Sequence, residues 1–431
     1  MFNIKYYTTS PRIPPVCRST MFRQTSSRQL IRRIMIPMHV TTKQIRPASV
    51  ELGVPMRRDP RVDMALGLPA FVQPFLTWLT AKPAPGEVAP PRRPAAYVGE
   101  AIGLTLGGTV ISALALAFQN PATPWFWAAL FVGLLGTSSG LGLFQVVIFH
   151  HCSHGTVFST RARNRLVGRL VSAILLFKHF DLYQKEHMLH HNANKLFTDD
   201  DEFTDFVVGI CDLRTALDRR ALWRHLGLLL ISPWFHARFL SKRIKGSLNS
   251  FERSHNLIGI SFWATLLIGA ALSHTLTIVM IAWVLPVTML LQVATVFRIL
   301  CEHRLPSIEI IDQRGKQLIC EATAGVFPGG FPPRRDAPSL RGVLAWGGWW
   351  VNMLTVQLFV RLFVLVGDAP CHDFHHRRPG KRWTNYVHAR QSDLDAGCPG
   401  FPANYSETWG LFRAVDENFA AMARAPADLF G

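Results

Sequence analysis

Four long apolar stretches, paired two and two across short turns free of lysine and arginine, limit what this chain can fold into. Ala101–Phe118 carries no charge, and as an α-helix would run about 27 Å, close to the thickness of a bilayer's hydrocarbon core. Gln119 to Thr123 turn the chain, and Trp125–Phe149 returns. The plan then repeats. Leu257–Leu272 goes over, Ser273-His274-Thr275 turns, and Leu276–Phe297 comes back through Pro286. In hydrocarbon every backbone polar group must find its partner inside the segment, so such stretches form helices. The fold expected is all-α and integral to a membrane, with two transmembrane hairpins (four spanning helices), interfacial helices and a cytoplasmic cap.

Composition agrees: the chain is 49% hydrophobic and 17% charged, too little charge for an ordinary soluble protein of this size. The net charge of +18 is half supplied by residues 1–60, and no acidic residue precedes Glu51. The two turns lack Lys and Arg, whereas 161–169, 214–253, 304–341 and 377–390 are rich in them. By the positive-inside rule this places the termini in the cytoplasm, and it explains the basic charge without nucleic acid. Phe71–Ala81, Leu166–Phe177 and Leu226–Phe235 are too short to span. Gly342–Val366, with its Trp-rich centre and Arg361, is read as interfacial or re-entrant. Residues 1–61 form a basic extension expected to be disordered, 62–94 an interfacial segment and Pro-rich linker, 95–390 the membrane domain, and 391–431 a C-terminal tail. Arginine outnumbers lysine 36 to 10, which hints at a GC-rich bacterial gene and an inner-membrane location. The seven cysteines are scattered without a CxxC pair, so neither a disulfide framework nor a zinc ribbon is indicated.

Ten of the seventeen histidines cluster beside the apolar stretches. They form His150-His151-Cys152-Ser153-His154, His187-Met188-Leu189-His190-His191 and His372-Asp373-Phe374-His375-His376, with His303 between the last two. Positions i, i+3 and i+4 share a helix face, so each group can aim two or three imidazoles at one point. Buried imidazoles are costly unless satisfied, and a metal satisfies several together. Imidazole suits Fe, Zn, Cu and Ni alike, but nine or ten of them fit two ions with four or five each. Asp181, Glu186, Glu302, Asp368 and Asp373 lie in or near the groups and could orient the rings. His39, His179, His225, His236, His255, His274 and His388 stand alone and read as ordinary core or solvated histidines.

The first group continues as Gly155-Thr156-Val157-Phe158 and resembles the His-Asp-Cys-x-His-Gly-x-x-Phe box of the membrane fatty-acid desaturase and hydroxylase superfamily, with His151 at the Asp position. Tyr183 to His191, followed by Asn194 and Asp199-Asp200-Asp201, is similar to that family's second box and acidic tail. Arg298 to His303 matches its Arg-x-x-x-Glu-His element, and Gly367 to His376 its third box, although Arg377-Arg378-Pro379 replaces the usual Phe-Pro. The resemblance covers roughly Ala95 to Arg390. It implies two ferrous ions held by His150, His154, His187, His190, His191, His303, His372, His375 and His376, with His151 just outside the ligand set.

What the resemblance further implies is a fatty-acyl desaturase that uses O2 and a histidine-ligated diiron centre to place a double bond in an alkyl chain. A hydroxylase, ketolase or acetylenase of a fatty-acyl, alkane or carotenoid chain would share the ligands. Arg161, Arg163 and Arg165 are candidates to meet a polar head group. Phe327-Pro328-Gly329-Gly330 lacks the histidine of a haem-binding His-Pro-Gly-Gly, so electrons are expected from a separate ferredoxin, cytochrome or reductase. A metal transporter is the reading from another class, and it fits poorly. It would hold its ligands near the membrane's centre on broken helices, whereas these histidines sit at helix ends on one side.

Overall fold

The computed structural model describes residues 58–248, 252–334, 339–381, 383–427 and 429; residues 1–57, nearly all of the expected basic extension, lie outside them. The described chain starts with two short helices, α1 (Pro60–Gly67) and α2 (Gln73–Thr80). Asp59 caps α1 by accepting from the Arg61 amide, and Pro60 supplies the preset φ of a first helical residue. Arg61 is buried, with its guanidinium donating to the Lys82 carbonyl and to Gln73 and Thr77.

The first hairpin is α3 (Pro94–Phe118) and α4 (Pro124–Ser153). Both begin on proline. Their backbones approach through small residues: a Cβ added at Gly133 would lie 2.3 Å from Ser112 Oγ, and one at Gly140 2.3 Å from Thr105 Oγ1. Association in lipid rests on such close packing rather than on a hydrophobic drive. Near its end α4 widens into a π-helical segment, Phe144–Phe149, just before the first histidine group.

Helices α5 (Arg161–Leu175), α6 (Phe180–His190), α7 (Arg219–Ile231) and α8 (Pro233–Leu248) link the hairpins. The second hairpin is α9 (Arg253–Leu272) and α10 (Leu276–Glu302). Pro286 is absorbed in α10 by the π-helical segments Met280–Val284 and Pro286–Leu290, which accommodate the missing N–H. After α10, strand β1 (Gly325–Phe327) is reached.

A fifth long apolar helix, α11 (Leu340–Phe363), joins the four expected ones, so among the described residues five helices are long and apolar enough to cross a membrane. The sequence reading expected only an interfacial or re-entrant segment there. Arg361 interrupts the apolar run, yet its charge is spent internally, on the carbonyls of Trp78, Leu365 and Gly367. Helices α12 (His372–Arg377) and α13 (Tyr386–Asp395) follow, then strand β2 (Glu407–Trp409), which pairs in parallel with β1. The last helix, α14 (Leu411–Arg424), belongs to the main core rather than to a tail. Leu411, Val415, Phe419 and Met422 are buried, and Asn418 ties the Leu305 amide to the Leu300 carbonyl beside His303.

Candidate metal centre

Four stretches of chain bring the histidines together. The end of α4 carries His150 and His151 with His154 next, α6 carries His187 and His190 with His191 next, α10 ends just before His303, and α12 carries His372, His375 and His376. The approach to α12 is tightly specified. Gly367 adopts φ 57°, and a Cβ there would stand 2.3 Å from Val147 Cγ2; only glycine suits both the left-handed backbone and the contact. Asp373 accepts from Arg390 through both carboxylate oxygens and from the Phe374 amide, anchoring α12 from behind.

Inside, the Nε2 atoms converge in two groups. His150, His154, His187 and His375 have ligand atoms within 4.8 Å of one another, as do His190, His303, His372 and His376. His191 joins the first group, with its Nε2 3.1 Å from that of His187 and 2.9 Å from that of His375. Other Nε2 pairs stand at 2.8 Å (His150 and His375), 2.9 Å (His190 and His303) and 3.0 Å (His372 and His376). Metal bonds of about 2.0–2.1 Å would set neighbouring ligand nitrogens about 2.8–3.4 Å apart, from a right-angled to a tetrahedral arrangement. The donor set therefore fits two transition-metal ions.

The outward nitrogens explain why Nε2 faces in. His190 Nδ1 donates to Asp201 Oδ1 at 2.6 Å, and His187 Nδ1 to Glu202 at 3.1 Å. His375 Nδ1 lies 2.9 Å from the Tyr386 hydroxyl, and His150 Nδ1 3.3 Å from that of Tyr183. A proton held on Nδ1 leaves the Nε2 lone pair for a metal. Burial, then repulsion from neighbouring imidazoles, holds His191, His303, His372, His375 and His376 well below the usual histidine range. Burial and the same repulsion lower His154 to about 2. Burial is the largest influence on His190 and lowers it, but the charge and hydrogen bond of Asp201, together with the charges of Glu202 and Glu302, raise the ring. Glu202 is raised by burial and brought down to about 2 by its bond from His187, so it is the ionised partner of that pair.

Of the carboxylates expected to orient the rings, the structure gives most other partners. Asp181 is taken by Arg165 and Arg169, and Glu186 by Lys178. Glu302 pairs with Arg298 at 2.8 Å. Asp368 holds His151, at 2.8 Å, and that ring stacks on Trp383 with an interplanar angle of 11°; His151 thus stays outside both groups. Asp201, Glu202, Tyr183 and Tyr386 do meet the converging histidines; Tyr183 and Asp201 lie in the stretch that carried the resemblance, but none of the four was expected to orient a ring. The available signal was the acidic run 199–202 that follows the second group.

A cavity of about 340 Å³ reaches His150, His187, His190, His303 and His372. Its walls are largely apolar, with Phe149, Phe177, Phe206, Phe239 and Leu291 among them. Thr295 of α10 meets Gln145 of α4 at 3.1 Å across one side. The exposed side chains of Asp205 and Lys242, 3.5 Å apart, border the opening together with Lys178. Arg165, expected near a head group, is instead engaged by Asp181. A family model described as fatty acid desaturase matches residues 122–409. No curated protein and no solved structure matches the chain.

Proposed function

Because the chain belongs to the fatty acid desaturase family, we propose that it is a membrane-bound, O2-dependent desaturase that places a double bond in a fatty-acyl chain at a diiron centre. The observation that carries this reading is the meeting of two imidazole groups with one end of an apolar-walled cavity. His150, His154, His187, His191 and His375 would hold one iron, and His190, His303, His372 and His376 the other. Bound there, iron would supply the oxidising power, drawn from O2 and two external electrons, needed to remove two hydrogens from neighbouring methylenes. The balance is one alkyl chain, O2, two electrons and two protons in, one alkene and two waters out.

The protein's own part is positioning and exclusion. Phe149, Phe177, Phe206 and Phe239 line the cavity with apolar surface, so the chain is held by burial while bulk water is kept from the reacting carbon. Asp201 and Glu202 fix the tautomer and direction of His190 and His187. Electrons come from a separate protein, and the histidine side faces the cytoplasm of a bacterial inner membrane.

The test is metal analysis together with lipid mass spectrometry. Purified protein should carry close to two irons per chain. Cells expressing it should gain unsaturated acyl chains, and His187→Ala or His375→Ala should abolish that gain while the protein still reaches the membrane. A single zinc without iron would refute the diiron reading, and new hydroxyl or keto groups instead of double bonds would replace desaturation by oxygenation.

A further inference from the structure

One polar side chain in the cavity wall is left over by the chemistry above. Gln292, in α10, is 1% exposed and lines the cavity. By helical rise it stands about 15 Å before Glu302 along the axis, far from the imidazoles. Its Oε1 is placed 2.7 Å from His236 Nδ1, while its Nε2 has no hydrogen-bond partner among the described residues. A buried amide group left unpaired is costly, so a partner that is not part of the protein's own fold is called for.

His236 determines which head is free. Its Nε2 lies 2.9 Å from the Leu230 carbonyl, which can only accept, so Nε2 carries the proton. An imidazole that has given its N–H to a carbonyl offers its second nitrogen as an acceptor. The two heads of an amide have the same shape, and their chemistry assigns them. With a neutral His236 the placed Oε1 would face another acceptor, so the amide is turned over: its NH2 donates to His236 Nδ1, and the unpaired head is the carbonyl oxygen. A lone buried acceptor selects a donor.

We propose that the cavity recognises a substrate chain bearing a neutral hydrogen-bond donor, a hydroxyl or an amide N–H, which Gln292 accepts at a fixed distance from the metal centre. This rests on the cavity being the substrate site of the proposed desaturase, and it narrows the substrate from any alkyl chain to one functionalised away from the reacting carbons. His236 acts as a positioning residue, turning the amide so that its oxygen faces the chain.

The test uses the full-length, iron-loaded protein in lipid nanodiscs and measures displacement of radiolabelled octadecanoic acid. The competitors are unlabelled octadecanoic acid, its positional monohydroxy isomers, and N-acyl amides of matched length. One hydroxyl position, or one amide placement, should compete about tenfold better than the plain acid, and which series does so identifies the donor. In Gln292→Met that ratio should fall to about one, with iron content and elution volume unchanged. Equal competition by every probe in the unmodified protein would overturn the proposal without recourse to any variant, as would a ratio that survives Gln292→Met. The parent reading fails separately: iron-loaded protein supplied with O2 and reductant would oxidise none of these chains while the binding preference persisted.

Discussion

Asp201 shows how much of the centre's precision rests on residues that never touch a metal. It is 1% exposed, and besides accepting from His190 it accepts from the Phe197 amide at 2.8 Å and the Phe203 amide at 3.1 Å. The loop's own backbone thus holds the carboxylate that holds the imidazole. Replacing Asp201 with Ala should lower iron affinity at that group about 10–100-fold, the usual cost of losing such an orienting partner. Chelator titration of purified protein, following iron retained per chain, measures it; unchanged retention would show that packing alone orients His190. The histidines that converge were legible in the sequence because i, i+3 and i+4 spacing is local. Their partners were not. Asp181 lies six residues before His187, on another helix face, so periodicity could have dismissed it, whereas Glu186 stands four before His190 on the same face and is removed only by its pairing with Lys178. Asp201 and Glu202 reach the rings through a turn whose path no local pattern encodes.

At the scale of helices, the seam between α3 and α4 governs where the first histidine group sits, since that group ends α4. A Cβ on Gly133 would meet Ser112 Oγ at 2.3 Å and the Ser112 backbone nitrogen at 2.7 Å, whereas one on Gly107 would meet nothing within 4 Å. Gly133→Val should therefore push the helices apart, at a cost of at least about 1–3 kcal/mol, and carry His150 and His154 with it. Thermal unfolding in detergent should occur at lower temperature and iron per chain should drop, while Gly107→Val changes neither. Equal behaviour of the two variants would mean that the seam is not tight. The hairpins were legible because uncharged runs of this length have few other uses. The π-helical segments in α4 and α10 were not, because one extra residue in a turn leaves composition and apolarity unchanged. Helix α11 is long and apolar enough to cross, but length and composition alone do not distinguish a span from an interfacial or re-entrant helix.

For the molecule as a whole, the convergence of three histidine groups and His303 constrains how α11 lies in the membrane. His150 and His375 are 2.8 Å apart, so the end of α11 emerges on the same side as the end of α4. Its beginning is the open question, and two contacts bear on it. Trp349 Nε1 donates to the Gly330 carbonyl at 3.3 Å, and the Gly329 amide donates to Gln357 Oε1 at 2.9 Å. Trp349 and Gln357 lie about 12 Å apart along a helix, yet both meet one short loop directly after β1, whose strand partner β2 reaches Arg390 through Glu407. A helix running straight across would pass that loop at a single depth. Trp349 and Met353 also pack with Met64, Leu76 and Leu79 of the two short helices that precede the first hairpin. Helix α11 is therefore expected to lie along or dip into the histidine side, although its length would allow a crossing. Single cysteines at Arg341, Pro379 and Asn120, labelled with an impermeant reagent in sealed vesicles, decide it, since the native cysteines among the described residues are buried. Arg341 and Pro379 should react from one side and Asn120 from the other. Arg341 reacting together with Asn120 would make α11 a true span, and would require the chain between His303 and Ser339 to cross the membrane as well.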